Sequence, residues 1–229
     1  MAVRAERRAP LNRDRVLHAA LALVDEGGVE SLSMRKLGQA LGVEAMSLYY
    51  HVANKDEILD GLVDLVWSEI ELPPAEEDWE TAIRTFATSA YGALTRHPWA
   101  CNLYMSRPSL SAPRMRYMEY LLGRLRDAGF SPDMTYLAYH AIDSHILGFT
   151  LWLQGHSIDE KRAAQLGATV MHQFPRDDYP RIFEHIEQHL TEGSHKNVRT
   201  FDFKLALILD GLKRIPGAPS GQRHEEGKA

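Results

Sequence analysis

A short run from Arg35 to Lys55 gathers the side chains best suited to holding a polyanion: Arg35, Ser47, Tyr49, Tyr50, His51 and Lys55. Cationic and hydroxyl groups are the usual partners of backbone phosphates, and a guanidinium or small hydroxyl also reaches base edges in a major groove. Ala45 and Met46, in the middle of the run, offer only apolar surface. They suit a thymine methyl and cannot make the paired hydrogen bonds that single out adenine or guanine. His51 and Lys55, at the end of the run, are placed where a cation meets backbone phosphate.

Such a set works only if helices present it on one surface. Val16, Ala19, Ala20, Leu23 and Val24 recur at spacings of three and four, which predicts a helix from Asn12, stopped by Gly27-Gly28. Ser33 reads as the N-cap of a short helix over Met34–Leu41, whose Leu37 and Leu41 face inward. Gly42 permits a sharp turn, Val43 plugs it, and a third short helix over Ala45–His51 points Leu48 back to the core. Asn54 followed by Glu57 has capping-box spacing and opens a further helix to about Leu72, burying Ile58, Leu62, Leu65, Val66 and Ile70. This is the pattern of a helix-turn-helix whose second helix can lie across a major groove.

Beyond it, helices are predicted at Asp78–Arg96, Trp99–Ser106, Pro113–Asp127, Pro132–Gln154 (capped by Ser131), Arg181–Leu190 and Phe201–Ile215. Residues 155–180 carry the breakers Gly155, Gly167, Pro175 and Pro180 and read as mixed. No period-two alternation or hairpin signal competes, so the class is all-α: an N-terminal three-helix helix-turn-helix domain and a larger helical domain for ligand binding and dimerisation. The expected division is 1–55, with a basic arm at 1–10, then 56–215, then a polar tail at 216–229.

Charge supports the division. The whole chain is −5, yet residues 1–55 hold eight Lys/Arg against six Asp/Glu. No apolar run is long enough to span a membrane, and the Arg-rich start has no signal-peptide core. A single cysteine, Cys101, cannot form an internal disulfide, which fits a reducing cytoplasm.

The run also resembles the DNA-binding domain of the TetR family of regulators. Arg35-Lys36-Leu37, Leu41-Gly42-Val43, Ser47-Leu48-Tyr49-Tyr50-His51-Val52 and Asn54-Lys55 stand at that family's spacing. The likeness is greatest to the tetracycline-repressor subgroup and covers about residues 12–60, and Phe201–Leu212 is similar to that subgroup's last dimerisation helix. The resemblance implies a homodimer on double-stranded operator DNA, released by a small-molecule effector, with Arg35, Ser47 and Glu44 selecting bases and Tyr49, Tyr50, His51 and Lys55 holding the sugar-phosphate backbone. The alternative is a DNA-binding dimer whose C-terminal domain only dimerises or docks a protein.

Two helices look built for pairing. Leu137, Ala141, Ser144, Gly148 and Leu151 form a stripe of mostly small residues on one, and Phe201, Leu205, Ile208, Leu209 and Leu212 belong to another that is apolar nearly all round. For an effector pocket the candidates are Trp99, Cys101, Tyr104, Met105, Tyr117, Tyr120 and Leu121, with His140, Asp143, Leu147, Phe149 and Trp152 from the long helix. No cofactor or metal is implied: His140 and Asp143 share a face, but His145 lies about 140° further round. No HExxH, G-x-S-x-G, phosphate-binding loop or dinucleotide fingerprint is present, which argues against an enzyme.

Overall fold

The computed structural model describes residues 10–107, 109–156, 160–189 and 196–215. Most of the expected basic arm and the whole 216–229 tail lie outside them. The all-α expectation holds: every regular element among the described residues is helical. The order is α1 (Arg13–Gly27), a single 3-10 turn (Val29–Ser31), α2 (Met34–Leu41), α3 (Ala45–Leu48), α4 (Lys55–Ser68), α5 (Trp79–Arg96), α6 (Trp99–Ser106), α7 (Ala112–Asp127), α8 (Pro132–His156), α9 (Glu160–Gln173), α10 (Pro180–His189) and α11 (Lys196–Arg214). None of these helices is long and apolar enough to cross a membrane.

The described residues form two compact units, one through Asp127 and one from Ala128. In the first, α1 packs on α2 and α4, α2 on α3, and α4 also meets α5, α6 and α7. Its core is a continuous apolar set that includes Val16, Ala20, Leu37, Leu48, Ile58, Leu62, Ile83 and Phe86, all essentially inaccessible to water. Leu65 is only half-buried, whereas Leu59, Val63 and Trp67 join Ile58, Leu62 and Val66 inside, because α4 is surrounded on most of its circumference. In the second unit α8 packs on α11 and α9 on α10.

Helix starts follow local chemistry. The Asn12, Ser33 and Asn54 side chains accept from Arg15 N–H, Lys36 N–H and Glu57 N–H. Asp78 takes two donors at α5, and Ser131 accepts from Met134 N–H at α8. Four spans differ from those read from periodicity. α3 ends at Leu48 because Tyr49 N–H bonds back three residues to Met46 O, tightening the backbone into a turn through His51. α4 ends at Ser68 instead of Leu72, with Ile70 N–H reaching Trp67 O in the same tightened geometry. α9 occupies a stretch read as mixed, because Gly167 sits inside the helix instead of ending it. α11 begins at Lys196, ahead of Phe201.

Replacing Asn54 with Ala removes the cap that orders the start of α4. The expected loss of stability is about 1 kcal/mol, to be read from the midpoint of urea unfolding; an unchanged midpoint would mean that Asn54 caps nothing that matters.

Candidate functional site

The turn between α2 and α3 is built by two glycines. Gly42 takes a left-handed backbone (φ 68°, ψ 38°), which ends α2 and sends Val43 N–H back to Gly38 O at 2.9 Å. A β-carbon on Gly38 would stand 2.8 Å from Val43 O and 3.2 Å from Ala45 N, so only glycine lets the chain into α3 pass this close over α2. Leu37 and Leu48 anchor the two helices in the core, both at 0% exposure.

With Leu48 inside, the other face of the run is free. Arg35, Glu44, Met46, Tyr49 and Tyr50 are exposed, and Ala45, Ser47, His51 and Lys55 are half-buried beside them. Met46 is 73% and Tyr50 88% exposed, and with Tyr49 beside them they form a contiguous open patch that a partner can cover. Of the nine expected DNA-facing residues, Arg35 lies on α2, Glu44 is the N-cap residue of α3, Ala45, Met46 and Ser47 lie on α3, Tyr49, Tyr50 and His51 in the turn after it, and Lys55 opens α4.

α4 follows this head without a linker. Glu57, at its first turn, accepts from Ala53 N–H at 2.7 Å and from Arg13 of α1 at 3.1 Å, and these two bonds hold its carboxyl below the usual value. On another face of the helix, Asp56, Asp60 and Asp64 recur every four residues and meet the α6–α7 connection. Arg107 Nε donates to Asp60 Oδ1 and its Nη1 to Asp56 Oδ1, each at 3.0 Å, and Ser111 Oγ donates to Asp64 at 2.6 Å. Asp60, first of all, keeps the Arg107 guanidinium more firmly protonated than usual. A second polar joint lies at the start of α6. His97 Nδ1 is 2.8 Å from Asp25 of α1, and its Nε2 is 3.1 Å from Glu69 just past α4.

The expected effector residues fall into separate groups. In the first unit, Tyr104, Tyr117 and Tyr120 come together around two rings the sequence reading missed, Trp67 and Phe86. Trp67 stacks on Tyr104 at 4.3 Å, and Phe86 lies 4.9 Å from Tyr117 and 5.2 Å from Tyr120. Trp67 Nε1 and Tyr120 OH are buried without a hydrogen bond, and burial pushes the Tyr120 phenol up. Cys101 and Leu121 are buried in this unit's core. Trp99 is engaged elsewhere, its Nε1 donating to Asp25 at 2.7 Å. Tyr104 and Met105 also border a cavity of about 380 Å³ completed by Arg107, Ser109, Leu110 and Arg114.

In the second unit, Phe149 and Trp152 join His145 and Phe201, with Lys204 Nζ 4.9 Å above the Phe149 ring. His145 Nε2–H donates to Phe201 O at 3.0 Å, and burial lowers its basicity. His140 is edge-on to Tyr136 and Tyr139, Asp143 is half-buried, and Leu147 is buried. Among the described residues no group of three or more His, Cys, Asp or Glu is placed to hold a metal.

The pairing residues divide by exposure. On α8, Leu137, Ala141, Ser144 and Gly148 are exposed and Leu151 half-buried. α11 is not buried on every side: Phe201, Leu205, Leu209 and Leu212 are covered within the chain and Ile208 is half-covered, whereas Phe203 (64%) and Leu207 (58%) stand open.

Two family models match the chain. Residues 16–62 match "Bacterial regulatory proteins, tetR family", and residues 72–215 match "Tetracyclin repressor-like, C-terminal domain". An HTH-type transcriptional regulator of Saccharopolyspora erythraea is 35% identical over 60% of this chain and 59% of its own length. The HTH-type transcriptional repressor DrrR1 of Streptomyces coeruleorubidus is 30% identical over 93% of this chain and 81% of its own. Among solved structures, the TetR family protein ActR of Streptomyces coelicolor, in complex with actinorhodin, superposes with a TM-score of 0.74 at 27% identity, covering 89% of this chain and 97% of that one.

Replacing Gly38 with Ala forces backbone apart at the α2–α3 turn. Stability should fall by about 1–3 kcal/mol and DNA binding should weaken further than stability alone explains, as measured by thermal unfolding beside a mobility-shift titration. Native affinity in a fully folded variant would show that the turn tolerates a side chain.

Proposed function

From membership of the TetR family of bacterial regulators, to which this chain belongs, we propose a specific division of labour for a DNA-binding, ligand-responsive transcription regulator. Residues 1–55 read DNA, residues 56–215 bind effector and pair two copies, and the protein acts in the cytoplasm as a repressor with no catalytic role. The observation that carries this reading is the exposed row on α2, α3 and the following turn, with Met46 and Tyr50 uncovered while Leu37 and Leu48 are fixed inside. α3 enters the major groove, where Ala45 and Met46 pack on thymine methyls and Arg35, Ser47 and Glu44 reach base edges. Tyr49, Tyr50, His51 and Lys55 hold phosphates on either side.

A palindromic operator follows from two-fold pairing, with half-sites about one helical turn, or 34–36 Å, apart. The open face of α8 (Leu137, Ala141, Ser144, Gly148) is rich in small residues that let a second helix approach closely, and Phe203 and Leu207 extend open apolar surface on α11. The buried set Phe201, Leu205, Leu209 and Leu212 supports that face from behind.

Effector binding belongs with the rings of the first unit. Their aromatic walls and unsatisfied Trp67 and Tyr120 donors suit a small organic molecule. Ligand acts by favouring a position of α4 in which the paired heads no longer match the groove spacing. A coupling of about 1–3 kcal/mol is enough for useful control.

Selection of binding sites from random DNA with the full-length protein, at fixed salt, should recover a palindrome; a folded dimer that enriches no sequence would undo the reading. Against the selected site, Arg35→Ala or Tyr49→Ala should lower affinity by at least about 10-fold with the dimer intact. Leu207→Arg, at an open position, should give folded monomers by light scattering, and a persisting dimer would move the interface elsewhere.

A further inference from the structure

Two guanidinium groups wall the cavity beside α6, and among the described residues that line it, Tyr104, Met105, Arg107, Ser109, Leu110 and Arg114, none is acidic. Its volume of about 380 Å³ lies within the range of roughly 300–1,000 Å³ typical of small-molecule sites. Tyr104, which borders it, already stacks on Trp67 with an interplanar angle of 23°, so a flat molecule entering here extends an existing stack. Arg114 lies 5.5 Å from the Tyr104 ring centre and joins that wall to the cationic one.

The two cations differ in how well they are satisfied. Arg107 is held by Asp56 and Asp60 as described, and its Nη2 also donates to Asp56 O at 3.2 Å. Arg114 is only 6% exposed. Its Nη1 donates to Arg107 O at 2.8 Å and to Ser109 O at 3.3 Å, yet its Nε and Nη2 are buried without any hydrogen bond. The nearest carboxylate oxygens are Asp64 Oδ1, 3.4 Å from Nε, and Asp60 Oδ1, 3.9 Å from Nη2. One Asp60 oxygen therefore faces two guanidiniums, bonded to Arg107 and just out of reach of Arg114.

We propose that this cavity takes an aromatic acid, that Arg107 leaves α4 to hold its acidic group, and that Asp60 then passes to the waiting donors of Arg114. The proposal deepens the ligand-responsive reading and rests on it. A guanidinium fork recognises a carboxylate or sulfonate in the geometry it now offers Asp56 and Asp60. The entering acid adds one negative charge, and Asp60 exchanges one guanidinium partner for another instead of being left unpaired. The exchange releases the first turn of α4, directly after the DNA-facing turn, and gives hydrogen bonds to the Nε and Nη2 of Arg114, whose charge already has ion pairs to Asp64 and Asp60 at 3.4 and 3.9 Å. Tyr104, Met105 and Leu110 select for a ring system, because a bare inorganic anion would leave their apolar surface uncovered.

The test uses two fluorescent probes with the same rings: 1-anilinonaphthalene-8-sulfonate, which carries an acid, and N-phenyl-1-naphthylamine, which does not. The full-length protein should bind the sulfonate at a single saturable site per chain, about 10-fold more tightly than the amine. Arg107→Gln should remove that preference and leave the amine unaffected. Asp60→Asn should weaken binding to the selected DNA by about 10-fold without any probe, and added sulfonate should weaken it little further. If Arg107→Gln does not fold, Arg107→Lys keeps the cation and should keep the preference for the sulfonate while its DNA binding falls. Equal binding of both probes, unchanged by either Arg107 variant, overturns the proposal and leaves a ligand pocket of another specificity. Absence of any saturable site in a protein that still binds its DNA overturns both the proposal and the placement of the effector in the first unit.

Discussion

The first two turns of α4 must satisfy partners on different sides at once. Asn54 and Glu57 fix the helix start against the DNA-facing turn and, through Arg13, against α1. Asp56 and Asp60 fix the same turns against Arg107 beyond α6. A cap is worth about 1 kcal/mol and a solvent-exposed ion pair about 0.2–1 kcal/mol, so no single tie dominates. Behind them, Ile58, Leu59, Leu62, Val63, Val66 and Trp67 weld the helix into the core. α4 is thus one continuous body: its fourteen residues span about 21 Å, and Asp60 lies less than two turns from the Asn54 cap.

The head itself is made rigid by close backbone approach more than by hydrophobic mass. α3 has one helical turn and one fully buried residue, Leu48. Such a piece does not hold its own conformation. It is held because Gly38 admits it against α2 and because Val43 N–H reaches Gly38 O. The arrangement leaves Met46, Tyr49 and Tyr50 outside, where they gain nothing from folding. Grouped on one face as they are, they form the patch that the proposed DNA contact would cover.

Much of this was legible in the residues because it is local. Ser33, Asn54 and Ser131 cap helices within three residues of themselves, and Gly42 sets its own turn. Spacing alone placed Leu37 and Leu48 inside. What was not legible depends on distance along the chain. Arg107 meets Asp56 from 51 residues away, and an acidic residue every fourth position otherwise reads as a solvated helix face. Nothing in their spacing singled out Trp67 and Phe86, and only packing against α6 and α7 made them neighbours of Tyr104, Tyr117 and Tyr120. α9 was missed because its described side chains are mostly exposed, leaving no apolar stripe, and because Gly167 has the composition of a stop. α11 looked apolar all round, but periodicity cannot separate a face covered by its own chain from one left open. Exposure separates Leu205 and Leu209 from Phe203 and Leu207.

A switch carried by polar ties on a helix with an apolar back has an energetic advantage. Repacking Ile58 or Leu62 would cost about 2–5 kcal/mol for each side chain left against a void, more than most ligands return as differential affinity. Exchanging one guanidinium partner of Asp60 for another keeps it paired, and a factor of ten in DNA affinity needs only about 1.4 kcal/mol. In the proposed exchange the polar ties around Asp60 change while the apolar contacts of α4 stay in place. The helix can be redirected without being unpacked, which is the condition for a regulator that must bind, release and bind again.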